Sequence, residues 1–196
     1  MNTEKRSVLE TDRLILRQWR DEDYMPFARI NADPRVMEFF PQPLSRVESD
    51  DLAKRCRYLI DGRGWGFWAL ELKGRGEFIG IVGLNKPQHR LPCSPCVEIG
   101  WRLSYAHWSM GYATEAGSTV LRFAFEELNL DEVVAFTTLM NRRSREVMKR
   151  LDMVNTNRDF IHPALTPGHP LSMHVLYSIS KSGWNEREEI KRESTP

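Results

Sequence analysis

Hydrophobic positions change their period along this chain, and each change marks an element. Leu14-Ile15-Leu16, within T-D-R-L-I-L-R-Q-W, alternates with polar neighbours and predicts a strand. Asp21, Glu22 and Asp23 then place acids at a helix start, where the helix dipole favours them. That helix is expected to run to about Asn31 and to stop near Asp33-Pro34. A second helix is predicted from Arg46 to Asp61, ended by Gly62. Two strands follow, Trp65–Leu72 and Phe78–Asn85, with the hairpin signal K-G-R-G between them. A third strand covers Cys96–Leu103. In Tyr112–Leu128, Ala113, Ala116, Val120, Leu121, Ala124 and Leu128 recur at helical spacing. Glu132–Thr138 is a β-branched strand, Asn141–Leu151 a short helix, and Ser172–Ser180 a last strand. The fold class is therefore α/β (α+β), with a mixed, mostly antiparallel sheet.

The chain has 196 residues, enough for a single domain with a substantial core. Residues 1–184 are read as that domain, and 185–196 as a charged, frayed tail. A formal net charge of +1 argues against a general nucleic-acid binder. No apolar run of about 18 residues exists, so no membrane span is expected. The start, M-N-T-E-K-R-S-V-L-E, lacks the apolar run of a secretory signal, and a cytoplasmic location is expected. Cys56 falls in a charged helical pattern, and Cys93 and Cys96 form C-S-P-C. One C-x-x-C without a second pair is an unspecific zinc signal. Pro92 and Pro95 make this segment a loop, so plain loop cysteines and no metal are expected.

The segment H-W-S-M-G-Y-A-T-E-A carries more chemistry. It follows a strand and opens a helix, so several backbone N–H groups have no partner there and can receive a phosphate. Gly111 allows close approach, and small Ala113 keeps it open. The amides of Met110, Gly111, Tyr112, Ala113 and Thr114 can point outward together; an ordinary helix start is the plainer alternative. Competing phosphate motifs fail. G-x-x-x-x-G-K-[ST] is absent, which excludes a P-loop NTPase. G-R-G-E-F-I-G at 74–80 sits inside a hairpin, which argues against a dinucleotide fold. A second constellation is N-R-R-S-R-E-V-M-K-R-L-D-M at 141–153. Asn141 stands at the N-cap position, with Ser144 three residues on, and both could face a ligand across the preceding strand end.

Together, E-I-G-W-R-L, H-W-S-M-G-Y-A-T-E-A and the 141–153 segment resemble the GNAT (general-control-related N-acetyltransferase) superfamily. T-D-R-L-I-L-R-Q-W is similar to the opening strand of its ribosomal-protein N-terminal acetyltransferase branch. The resemblance spans roughly residues 9–184. It implies a GNAT-like sheet splayed at its central strands, with helices on both faces, and an N-acetyltransferase using acetyl-CoA as co-substrate. On this resemblance the pyrophosphate rests on the amides of Met110 through Thr114. The pantetheine arm pairs with the strand holding Ile99, Trp101 and Leu103. Asn141 bonds the arm, and Ser144 lies near the thioester sulfur. The chain also departs from the family pattern. Trp108 replaces the Arg or Gln often found three residues before the glycine. Met148 stands where many members carry a proton-donating tyrosine. Asp152 replaces a glycine.

Direct acyl transfer needs amine deprotonation, carbonyl polarisation and thiolate departure, but no protein nucleophile. Glu98 is a candidate base, sharing a strand face with Gly100; its plainer alternative is an ion pair with Arg102. His162, in D-F-I-H-P, is a second candidate base, or a loop histidine without a catalytic part. Ser144 is a candidate donor to the thiolate, as is a water. Tyr24, Met37, Phe39, Phe40 and Trp68 could line an acceptor pocket or simply be core. The acceptor is expected to be an amine on a small molecule or a protein N-terminus, with the protein a monomer or homodimer. A CoA-binding sensor or scaffold without turnover is the alternative class, because Met148 cannot donate a proton.

Overall fold

A computed structural model describes residues 8–166 and 168–193. In chain order its elements are β1 (Leu9–Glu10), β2 (Leu14–Arg17), α1 (Tyr24–Ala32), α2 (Arg46–Arg63), β3 (Phe67–Leu72), β4 (Glu77–Asn85), β5 (Glu98–Leu103), α3 (Tyr112–Glu126), β6 (Glu132–Thr138), α4 (Arg142–Arg150), β7 (Val154–Asn155), β8 (Phe160–Ile161), β9 (Met173–Ser180) and α5 (Lys181–Glu193). β1 with β2, β2 with β3, β3 with β4, and β9 with β6, β7 and β8 pair antiparallel, while β5 pairs with β6 in parallel. This is the mixed α/β arrangement expected from the periodicity.

The chain forms two compact units: residues 1–85 with 100–120, and residues 86–99 with 121–196. In the first, β1, β2, β3, β4 and β5 are neighbours in that order. Leu14 pairs with Leu72, and Phe67 with Gly83. Leu14, Leu16, Trp68, Leu70 and Ile79 are fully buried. Trp19, Phe27 and Phe78 pack ring against ring, with Trp19 and Phe27 centroids 5.0 Å apart. Gly80 is required where β4 meets β5, because a Cβ there would overlap the carbonyl of Arg102. A buried ionic cluster ties β2 to the start of α1 and to β3. Arg17 reaches Asp23 with two nitrogens, at 2.7 and 2.9 Å, and Glu71 with a third, at 2.6 Å. Bidentate geometry of this kind lets a buried cation keep its charge away from water.

α2 ends two residues later than the sequence predicts. Gly62 stays helical, and the stop is Gly64, whose φ of 80° provides the left-handed cap while its N–H donates to Ile60 O. Ser45 and Glu48 close the other end as a reciprocal capping box. The hairpin at Gly74 and Gly76 forms as expected, with both glycines at positive φ.

In the second unit β6 pairs along its whole length with β9, from Glu132↔Ser180 to Thr138↔His174, and β9 also carries β7 and β8. Two-residue strands such as β7 and β8 leave no period to read in the sequence. The expected frayed tail is instead helical through Glu193; residues 194–196 lie outside the described residues. Two contacts explain the helix. Trp184 is 1% exposed with its ring 5.8 Å from Phe125, and Arg187 pairs with Asp152 at 2.6 Å. Trp184→Ala is therefore expected to cost about 3–5 kcal/mol, the range for emptying a large aromatic site. Chemical denaturation measures it, and a loss below about 1 kcal/mol, the range of surface substitutions, would show that α5 is not docked.

Candidate active site

β5 ends at Leu103, and the chain then turns three times before α3 begins. Ser104 and His107 close the first turn through a 2.6 Å bond between Oγ and Nδ1. The Trp108 indole donates to Leu103 O at 3.0 Å, tying the loop back to the strand end. Ser109 and Gly111 adopt φ of 61° and 82°, so the backbone doubles back at both. α3 starts immediately afterwards, and its first tertiary-free donor to find an acceptor is Glu115 N–H, on Gly111 O at 3.0 Å. Among the described residues no hydrogen bond is made by the amides of Met110, Gly111, Tyr112, Ala113 or Thr114. These are the donors that a helix start leaves for an anion.

Side chains around the turn favour negative charge. Arg13 lies over the Tyr112 ring at 4.6 Å, and its Nη2 would be 3.4 Å from a Cβ at Gly111. Glu115, the acid in the first turn of α3, is held elsewhere. Its Oε1 accepts from Thr11 Oγ1 and Arg13 N–H, and its Oε2 from Arg13 Nε at 2.7 Å. Burial alone would raise the Glu115 pKa, but these bonds outweigh it and hold the carboxyl below its ordinary value. A basin of about 440 Å³ beside the turn is lined by Arg13, Lys73, Arg75, His107, Met110 and Tyr112, with Asp12 on its wall. Thr11 and Arg13 were not legible as site residues, since more than a hundred positions separate them from Glu115.

In the second unit Asn141 is the N-cap of α4, as its position predicts. Its Oδ1 accepts from Ser144 N–H at 3.1 Å, and its Nδ2 donates to Thr137 Oγ1 at 3.0 Å. One lone pair and one N–H of the amide remain. Ser144 is half-buried one turn into the helix. Met148 is 1% exposed, so the family's tyrosine position is occupied by core. Asp152 has φ of 58°, the left-handed conformation a glycine would take without strain.

On β5, Ile99 and Leu103 are buried, while Glu98, Gly100, Trp101 and Arg102 are half-buried. The parallel ladder with β6 consists of one register pair, Glu98↔Val134, beside a bond from Val134 N–H to Val97 O. Arg102 does not serve as the partner of Glu98. Its Nη1 donates to Asn31 Oδ1 at 2.6 Å, and its guanidinium lies 4.2 Å from the Phe40 ring centre. Of the aromatics considered for a pocket, Trp68 is core, as is Met37, while Phe40 is 38% exposed.

His162 sits in a ring cluster, 4.9 Å from His174, 5.9 Å from His89 and 5.8 Å from Phe136. Burial, then the neighbouring His174 and His89, lowers its pKa to about 4. It is neutral at physiological pH and a weak base. The three cysteines are free; Cys93 and Cys96 bring their sulfurs to 3.0 Å, and burial raises Cys56 and Cys96 to about 12. Such thiols carry little thiolate and are poor nucleophiles. Among the described residues no group of three or more His, Cys, Asp or Glu is placed to hold a metal. Nor is any described helix long and apolar enough to cross a membrane.

A family profile described as an acetyltransferase (GNAT) domain matches residues 13–154, and the chain belongs to this family. It is an acyltransferase of the GNAT fold. The FsC-acetyl coenzyme A-N(2)-transacetylase of Aspergillus fumigatus is 30% identical over 194 residues, covering 94% of this chain and 80% of that protein. Among solved structures, an acetyltransferase from Agrobacterium tumefaciens matches with a TM-score of 0.71 and 26% identity, covering 91% of this chain and 97% of that one. A ribosomal-protein-S5-alanine acetyltransferase from Vibrio fischeri matches with a TM-score of 0.70, covering 91% and 98%; at 17% identity it shares the fold alone.

The depressed His162 pKa sets a pH dependence of stability. An unfolded histidine titrates near 6.5 and the folded one at about 4, so the unfolded chain takes up the proton first. The contribution is fully present above pH 6.5 and is lost as pH falls towards 4. Thermal melts should show His162→Gln losing less Tm than the wild type across that window. Parallel Tm–pH curves would contradict the assignment.

Proposed function

We propose that this protein transfers an acetyl group from acetyl-CoA to a primary amine by direct attack in a ternary complex. The observation that carries the reading is the run of unpartnered amides from Met110 to Thr114, beside Arg13 and at the start of α3. It suits a pyrophosphate: donors converge, the helix dipole adds partial positive charge, and the nearby Glu115 carboxylate is neutralised by Arg13. When bound, acetyl-CoA would supply the thioester and a stable thiolate leaving group.

The residues of this chain take distinct parts. The β5 backbone at Ile99, Trp101 and Leu103 offers strand-like hydrogen bonds to the pantetheine amides. An N–H of that strand can polarise the thioester carbonyl. Asn141 keeps one N–H and one lone pair for the arm, while its other bonds fix its orientation. Glu98 is the base that takes the ammonium proton, directly or through water. His162, with a pKa of about 4, is a weak base for that step. Ser144 or a water reprotonates the leaving thiolate, since Met148 has no proton to give. The acceptor is a small-molecule amine or a protein N-terminus, and the protein acts as a cytoplasmic monomer or homodimer.

An amine panel with acetyl-CoA, followed by release of free thiol, tests the reading. Gly111→Glu puts a carboxylate among the amides at a positive φ, and is expected to weaken CoA binding at least 100-fold, the scale of losing two to three kcal/mol. Glu98→Gln should lower kcat/KM by 10²–10⁴, the usual contribution of a general base. Unchanged CoA affinity in Gly111→Glu would remove the pyrophosphate site. CoA binding without thiol release across the panel would favour a sensor or scaffold.

A further inference from the structure

Arg102 is a charged group of the first unit that the proposed chemistry leaves unused. Its strand alternates, so Glu98, Gly100 and Arg102 lie on one face of β5. The side chain turns towards α1, where Asn31 receives Nη1 at 2.6 Å. Asn31 is itself fully buried and fixed, its Nδ2 donating to Ser49 Oγ at 2.8 Å. The guanidinium is thus positioned, with Phe40 stacked on it. What it lacks is an anion. Among the described residues no carboxylate pairs with Arg102, and its Nε is buried without a hydrogen-bond partner. Arg17 and Arg13, in the same unit, both have carboxylates.

An arginine used only for packing would not be expected to keep a fixed guanidinium with one edge unfilled. A buried cation without a counterion is unfavourable, and burial lowers the Arg102 pKa to about 10. The unfilled edge is also chemically specific. With Nη1 on Asn31, the Nε–Nη2 side remains, and that fork matches the two oxygens of a carboxylate. Arg63 likewise has an unpartnered Nη2, but its Nε donates to Trp65 O and it stacks on that indole at 3.7 Å. It therefore lacks the open fork. Phe40, which lies 4.2 Å from the Arg102 guanidinium, is itself 38% exposed.

We propose that the acceptor amine carries a carboxylate, and that Arg102, held by Asn31, binds it through the Nε–Nη2 edge. This rests on the acetyl-transfer reading and narrows its substrate class.

The test compares 6-aminohexanoate with hexylamine as acceptors, by thiol release, and measures binding of 6-aminohexanoate to the free protein by calorimetry. Wild type is expected to favour 6-aminohexanoate at least tenfold in kcat/KM. Arg102→Gln should raise KM for 6-aminohexanoate at least tenfold more than KM for hexylamine, with CoA affinity retained. Arg102→Lys should recover part of the preference by keeping the charge, and it serves as the folded control if the glutamine variant is unstable. Turnover of both amines without preference in the wild type would overturn the carboxylate site alone. Equal losses for both amines in Arg102→Gln and Arg102→Lys would do the same. Arg102-dependent binding of 6-aminohexanoate without thiol release would overturn acetyl transfer and leave the carboxylate site standing. Absence of both binding and turnover would overturn both.

Discussion

An α-helix cannot satisfy its own first amides, and the segment between Leu103 and Glu115 is built so that nothing else does either. In most helices a side chain at the cap or in the first turn folds back to these donors. Here the chain enters through Ser109 and Gly111, both at positive φ. The acid best placed to reach back, Glu115, is drawn to Thr11 and Arg13. The Trp108 indole, where other family members often have a charged or amide side chain, spends its one donor on Leu103 O. It anchors the loop and adds no competing acceptor near the turn. The donors stay open because each neighbour that could close them has another partner.

Much of this was readable in the sequence, for physical reasons that differ by element. α2, α3 and the strand Glu132–Thr138 announce themselves through period and caps, because their burial follows one face. Asn141 could be placed as an N-cap because capping is local chemistry, complete within four residues. The clamp on Glu115 could not, since it joins β2 to α3 and leaves no spacing to read. The docked α5 was missed for a related reason. Its composition, E-R-E-E-I-K-R-E, looks solvated, and a single tryptophan and one arginine pair carry its attachment. Gly62 misled because two candidate stops lie two residues apart, and only the backbone conformation at Gly64 decides between them.

The family pattern predicts a glycine at 152 and a tyrosine at 148, and the chain departs from both in ways with different consequences. Asp152 adopts the backbone conformation that a glycine would have, and its carboxylate then gains a role in holding Arg187. The local geometry survives the change of residue. Met148 is another matter, because a buried thioether replaces a group that could move a proton. Geometry can be preserved by strain and compensation, but proton transfer needs a group that titrates or a water.

The two ends of the proposed reaction are therefore unequally specified. On the proposed reading cofactor capture draws on backbone amides, which among substitutions only proline removes, and so it depends less on the identity of the side chains around it. Acceptor choice draws on side chains that can change freely between relatives. Arg102 illustrates the difference. It is fixed by a buried asparagine and a serine, an arrangement that orders a charged group at some cost in burial. Packing alone would be served as well by a leucine or methionine at that position. A positioned cation with an unfilled edge makes sense where the missing partner arrives with the substrate.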